Sequence, residues 1–306
     1  MERDPLNQTL STHKKVLIVT YYWPPAGGPG VQRWLKFVKY LPEFGISPVV
    51  CIPKGAIYPM KDSSLCSEGE GVHLINSPIS EPSRWISWLF KKQTSQLRKG
   101  MINEKNPSVI EKFLRAIRGN FFVPDARIGW VKPTTALLKE HIQAHGIETV
   151  ITTGPPHSVH LIGMALKKEL DICWMADFRD PWTSIGYHQS LFMSAFVKKK
   201  HKKLERHVLG TADHIITTSH TTAKEFGLLT DQPIHVITNG FEPLVEKPKA
   251  QLDIEQHMKG FSILHIGSLL SKRNPEILWE SLSELTEEHS SFKREFSLHF
   301  VGEVSE

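Results

Sequence analysis

Cysteine is scarce in this sequence. Cys51, Cys66 and Cys173 are the only three among 306 residues. They are too few and too scattered for a disulfide framework or a zinc site, and a reducing compartment fits that usage. Long apolar runs are also missing: none approaches the roughly 20 residues of a membrane-spanning helix. Met1–Thr12 is polar and lacks the apolar stretch of a secretory leader. The expectation is a cytoplasmic protein. Low-complexity tracts and internal repeats are lacking too, which sets solenoids and propellers aside. What is present is ordinary globular composition, 40% hydrophobic and 23% charged, which excludes disordered and collagen-like chains. A length of 306 residues suggests one large domain or two of common size.

Acidic residues are in slight deficit, with 32 Asp and Glu against 37 Lys and Arg, a net charge of +5. The excess is uneven. Between Arg84 and Glu140 stand 12 basic residues and 4 acids, so this stretch alone carries +8. It opens with Arg84-Trp85-Ile86-Ser87-Trp88-Leu89-Phe90-Lys91-Lys92, where Trp85, Trp88 and Leu89 share one helical face. Aromatic rings beside lysines suit a membrane interface, where rings sit among headgroups and ammonium groups meet lipid phosphate. Trp85, Trp88, Lys91 and Lys92 are therefore candidate contacts to a membrane surface. A second basic cluster, Lys198–Lys203, follows Phe192, Met193 and Phe196. Both clusters equally fit solvated helices whose apolar residues face a core. No zinc-finger, RNA-recognition or helix-turn-helix signature points to nucleic acid as a partner.

Strand and helix patterns alternate. Short apolar runs rich in β-formers occur at 16–20, 48–52, 72–75, 149–152, 172–176, 214–217 and 234–237. Helical periods occupy 31–44, 133–145, 158–170, 191–209 and 221–226. The polar stretch Glu242–Gly260, with Pro243 and Pro248, reads as a linker. The pattern then restarts with a strand at 262–266, a helix at 275–285 and a strand at 296–301. Such βαβ alternation predicts an α/β fold, a doubly wound parallel sheet with helices on both faces. The expected organisation is a Rossmann-like domain over 1–242, a linker over 243–260, and the start of a second Rossmann-like domain over 261–306.

Ligands of such sheets bind at the carboxyl ends of the strands, which directs attention to five loops. The first, Tyr21–Gly30, ends a strand and opens a helix. Gly27, Gly28 and Gly30 permit close approach of backbone amides to an anion. Gly28–Arg33 reads G-x-G-x-x-R, without the third glycine of a dinucleotide fingerprint. The acid expected about 20 residues later is also missing, so a dehydrogenase is disfavoured. The second loop is Thr152–Ser158, in which Ser158 or His157 is placed to cap the following helix and His157 is a candidate substrate contact. The third, Asp177-Phe178-Arg179-Asp180-Pro181-Trp182, crowds two carboxylates, a guanidinium and an indole at a strand end. Arginine clamps phosphates or orients carboxylates, and a carboxylate accepts a proton from an attacking hydroxyl. An Asp–Arg pair that merely braces the loop is the plain alternative. The fourth is Asn239-Gly240 before the linker, and the fifth is Gly267–Arg273, where a strand again ends in glycine and basic residues ahead of a helix.

In this order the five loops resemble glycosyltransferase family 4, of the two-domain GT-B fold. The resemblance rests on Pro24–Gly28 (P-x-x-G-G), Pro155–Ser158 (P-P-H-S), Asp177–Trp182 (D-F-R-D-P-W), Asn239-Gly240 followed by Glu242, and Gly267-Ser268 with Arg273. It runs from about Lys15 to Gly302. It implies transfer of a sugar from a nucleotide-sugar donor to an acceptor, with retention of anomeric configuration and without a metal or other cofactor. Such acceptors are lipid-linked or growing surface polysaccharides, which places the protein at the inner membrane face. The resemblance assigns Gly27, Gly28, Asn239, Gly240, Gly267, Ser268 and Arg273 to the nucleotide-sugar and its phosphates. It places Asp180, Arg179 and Asp177 at the catalytic centre, Asp180 orienting the acceptor hydroxyl and Arg179 near the transferring atom. His157 and Trp182 fall on the acceptor side.

The family's second domain is a full Rossmann unit, and only 261–306 corresponds to it here; its E-x7-E motif has no counterpart in the sequence. A single βαβ unit has too little surface to cover both faces of its strands. The expectation is a sheet edge and helix face there that are exposed or docked on the first domain, in a transferase whose chain is truncated or completed by another polypeptide. A non-catalytic acceptor- or membrane-binding module is the alternative reading.

Overall fold

The computed structural model describes residues 14–79, 109–185, 188, 191–241, 260–267, 269 and 274–302. The membrane candidates Trp85, Trp88, Lys91 and Lys92 lie outside the described residues, as do Ser268, Arg273 and most of the linker. The chain divides into two compact units, one ending at Gly240 and the other containing 241–306.

The first unit is built on β1 (Lys14–Thr20), β2 (Ile46–Pro53), β3 (His73–Ser77), β4 (Thr149–Gly154), β5 (Cys173–Phe178), β6 (His214–Thr217) and β7 (Ile234–Val236). Its helices are α1 (Pro29–Tyr40), α2 (Val109–Phe121), α3 (Val131–His145), α4 (Ser158–Glu169), α5 (Ala195–Thr211) and α6 (His220–Gly227). The strands form one sheet in the order β3-β2-β1-β4-β5-β6-β7, and every pairing is parallel. This is the expected doubly wound, Rossmann-like arrangement.

Side-chain alternation along β1 explains the two cores. Leu17 and Val19 face one way and pack with Trp130, Leu138, Val159 and Ile162, the last two from α4. Val16 and Ile18 face the other way and pack with Val31, Trp34, Leu35 and Val38 of α1. A strand buried on both faces must read as a continuous apolar run, which is how 16–19 reads. The connections after β1 and β4 thus lead to opposite faces of the sheet. The crevice between their loops is the topological switch point, where this fold class holds its ligands.

Helix ends follow local chemistry. Gly146 closes α3 in the left-handed conformation, φ 59°. α5 begins at Ala195, four residues later than the periodicity suggests. Ser194 caps it by accepting from the Val197 N–H, and Phe192 sits at φ 48°, which no helix tolerates. No helix among the described residues is long and apolar enough to cross a membrane.

The second unit pairs β8 (Phe261–Ile266) with β9 (Phe296–Val301) in parallel. Between them run α7 (Glu276–Glu288) and α8 (Ser290–Glu295), the last not foreseen from the pattern. Leu282 is its one buried apolar side chain among the described residues, whereas Ile266, Ile277, Phe300 and Val301 are exposed. The apolar faces are thus open, as a lone βαβ unit implies.

Candidate functional site

β5 runs two residues beyond the apolar stretch that announces it and includes Asp177 and Phe178. That extension draws Asp177 into the sheet, where it is wholly buried. Its Oδ2 accepts from the Trp34 indole N–H at 2.8 Å and from the Thr153 hydroxyl at 2.7 Å. Its Oδ1 pairs with Nη2 of Arg33 at 3.3 Å. Every donor comes from an element other than β5: α1 for Arg33 and Trp34, β4 for Thr153. Asp177, expected at the catalytic centre, has no solvent contact. A carboxylate without solvent contact and with both oxygens bonded locks α1, β4 and β5 together.

Arg33 was visible only as the residue that spoiled a dinucleotide fingerprint. It proves to be the hinge of this edge. Its Nη1 donates to the Thr238 carbonyl at 2.9 Å and to Oδ1 of Asn239 at 3.2 Å, and its guanidinium lies over Phe37. Asn239 is thereby brought to the edge beside α1, with the exposed Gly240 next to it.

Arg179 lies above this locked layer and is partly exposed. Its Nε donates to the Gly154 carbonyl at 3.2 Å and its Nη2 to the Pro155 carbonyl. Its own carbonyl accepts from the Thr218 hydroxyl at 2.8 Å. Its Nη1 lies so close to Gly30 that a Cβ there would come within 1.4 Å of it. The guanidinium therefore bridges the two lips of the switch-point crevice, the β4 loop and the start of α1. Burial pulls its pKa down from the usual arginine range, while Asp177 and Asp180 oppose that shift. Asp180 is exposed and is the solvent-facing carboxylate of the segment.

The glycine loop is braced from outside. Gly27 N–H donates to the Met60 carbonyl, and the Asp62 N–H donates to the Pro25 carbonyl. A Cβ on Gly27 would meet the Asp62 Cβ at 3.0 Å. Gly28 caps α1 at φ 108°, with no side-chain cap and no acid in the first turn. The helix start thus presents amide dipoles and no negative charge next to Arg179, an arrangement that suits an anion.

His157 and Trp182 are both buried, their rings parallel with centroids 4.9 Å apart. They were expected to touch the acceptor; instead they pack beneath the edge. Burial, with neighbouring His160, holds the His157 pKa well below the usual histidine range. Nor does His157 or Ser158 cap α4. Asp125 does so from a distant loop, accepting from the Ser158 N–H at 2.8 Å and the Ser158 hydroxyl at 2.9 Å. His160 takes part in the same packing. Its Nδ1 bonds the Thr152 hydroxyl at 2.9 Å, and burial lowers its pKa to about 3.

In the second unit, Gly267 at φ 131° donates to the Val301 carbonyl. A Cβ on Gly302 would meet the Gly267 oxygen at 2.2 Å, so the two strand ends are held back to back.

The sequence profile of Glycosyltransferase Family 4 matches residues 30–243. Among solved structures, the trehalose-6-phosphate phosphatase N-terminal domain of Candida albicans is similar at 11% identity, with a TM-score of 0.51 over 100% of this chain and 67% of that one. An E. coli structure described as trehalose-6-phosphate bound with UDP-2-fluoro glucose is similar at 12% identity, with a TM-score of 0.50 over 95% and 65%. A glycosyltransferase from Rickettsia africae is similar at 13% identity, with a TM-score of 0.41 over 94% and 68%. This chain spans 60–68% of the length of the first solved structures it matches. No curated protein sequence matches it. The profile covers most of the chain, including Gly30, Arg179 and Asn239, and the seven-stranded unit has the architecture expected of a GT-B N-terminal domain: the chain belongs to glycosyltransferase family 4.

Proposed function

We propose that this chain serves the transfer of a sugar from a nucleotide-sugar to a lipid-linked or polysaccharide acceptor in surface glycan synthesis, with retention. The observation that carries the reading is Arg179 spanning the switch-point crevice against Gly30. In the transfer, the bond from the anomeric carbon to the donor phosphate breaks and a bond to the acceptor oxygen forms. The acceptor hydroxyl passes its proton to a phosphate oxygen of the nucleoside diphosphate, which leaves with the bonding electrons. Asp180 orients that hydroxyl. Arg179 and the Gly28 amide offset the negative charge that grows on the leaving group, while Gly27, whose N–H is taken by the Met60 carbonyl, shapes the loop that presents them. Asp177, Arg33 and Asn239 hold these groups in place. Gly240, Gly267, Ser268 and Arg273 belong to the donor side of the same reading. The UDP-sugar in the similar E. coli structure supports a nucleotide-sugar as the donor. Trp85, Trp88, Lys91 and Lys92 provide the membrane contact that a lipid-linked acceptor requires.

The test is incubation of the chain with UDP-, GDP- and dTDP-sugars and a bacterial lipid extract. Expected are a glycosylated product and an equal amount of nucleoside diphosphate. No product, and no heat of binding with any of the three donors, would leave the non-catalytic binding module as the reading. The open apolar faces of the second unit are the observation that favours that module.

A further inference from the structure

Past the buried Trp182, the chain borders a cavity of about 220 Å³, lined by Thr183, His188, Met193, Lys198, His201 and Lys202. It is smaller than the roughly 300–1,000 Å³ of pockets that take a whole drug-sized ligand. Its size suits one charged group. Its lining is cationic and donor-rich, and no acid belongs to it. Lys198 and Lys202 are four residues apart and so share one face of α5. The Trp182 indole N–H donates to Nδ1 of His201 at 3.1 Å, which places the proton of the neutral ring on Nε2 and makes that nitrogen a donor. Of the nearby acids, Glu205 has both oxygens taken by the Thr183 N–H and hydroxyl at 3.0 and 2.5 Å, and Asp125, whose charge acts on His201, has both taken by the Ser158 N–H and hydroxyl.

Two features of this corner work against stability unless an anion offsets them. Like charges four apart on a helix repel, and among the described residues neither Lys198 nor Lys202 is in an ion pair. Lys198 also lies at the N-terminal end of α5, the end that disfavours positive charge. The loop carrying Met193 is held in place at a cost. Phe192 adopts φ 48°, the one positive φ among described non-glycine residues. Its carbonyl accepts from Nδ2 of Asn120 at 3.1 Å, while the Ser194 N–H donates to Oδ1 of the same Asn120 at 2.8 Å. Strain that is over-determined in this way marks functional corners.

We propose that this cavity binds a phosphate or diphosphate group, free or at the head of an acceptor lipid, with charge from Lys198 and Lys202 and a hydrogen bond from His201. The inference rests on reading the β5 edge as the acceptor side, because Trp182 joins that edge to the cavity. The group would hold an anionic acceptor by a point remote from the reacting hydroxyl.

The experiment is calorimetric titration of the full chain with inorganic pyrophosphate at low ionic strength. The Lys198→Ala/Lys202→Ala pair should bind at least tenfold more weakly than the unsubstituted chain. The Lys199→Ala/Lys203→Ala pair removes the same charge from residues that do not line the cavity and should bind within twofold of it. Equal weakening by both pairs, or no binding to the unsubstituted chain, would overturn the proposal. All four lysines are exposed, so neither pair threatens folding. A short alkyl diphosphate separates the sources: tighter binding than pyrophosphate assigns the site to a lipid head, and equal binding to the free group. Pyrophosphate binding by a chain that transfers no sugar would sink the transferase reading and leave this site standing.

Discussion

The inner and outer layers of the β5 edge use the same kinds of residue for opposite purposes. Inside, Arg33 and Asp177 form an ion pair almost free of solvent, with side-chain exposures of 1% and 0%. Two and three residues further on, Arg179 is partly exposed and Asp180 exposed. The inner pair spends its hydrogen bonds on one another, α1, β4, Thr238 and Asn239, and leaves the buried Nε of Arg33 without a partner. The outer arginine uses Nε and Nη2 to fasten itself to the β4 loop and lays Nη1 against Gly30. A charge in a motif therefore means structure or chemistry according to which side of the strand end it falls.

Removing Asp177 would break the inner layer most severely. Asp177→Ala leaves Arg33 buried without its counter-charge, a loss of about 3–5 kcal/mol, which a thermal melt would read as a drop of roughly 10 °C. Gly30→Ala strikes the outer layer instead. The new methyl displaces the Arg179 guanidinium, and a displacement on the order of 1 Å costs transfer activity roughly 100-fold with little change in melting temperature. Comparable losses of stability and activity in this variant would mean that the two layers are not separable.

Acid is a gentler probe of the packing beneath. His160 has its pKa lowered to about 3 in the folded chain, against about 6.5 when unfolded. Between those values the unfolded state binds the extra proton, so stability falls as pH drops below about 6.5, by about 1.4 kcal/mol per unit from this residue. Urea melts at pH 7 and pH 5 should show that loss, and His160→Gln should reduce it. The smallest effect concerns the membrane. Trp85→Ala with Trp88→Ala should lower co-sedimentation with anionic vesicles and leave the melt unchanged; unaltered binding would remove the membrane contact from the account.

The sequence discloses the frame better than the roles. Parallel strands buried on both faces leave apolar runs, so the elements of the first unit are legible, and the order of the loops places the edge. The direction in which Asp177 faces is not legible, because it depends on β5 continuing past Ala176 through a charged residue. Arg33 meets Asp177 across 144 positions and Asn239 across 206, pairings that no local pattern encodes. Asp125 caps α4 from 33 residues away, where local reading offered His157 or Ser158. His157 and Trp182 were visible as residues of note, but their mutual stacking, which buries both, is a tertiary fact.

The division between the layers is tested most directly by measuring melting temperature and transfer rate on the same preparations of Asp177→Asn and Asp180→Asn. The account predicts that Asp180→Asn melts like the unsubstituted chain and loses transfer by roughly 100-fold or more, whereas Asp177→Asn loses several degrees of stability. A stable Asp177→Asn protein, or an Asp180→Asn protein with full transfer rate, would contradict it.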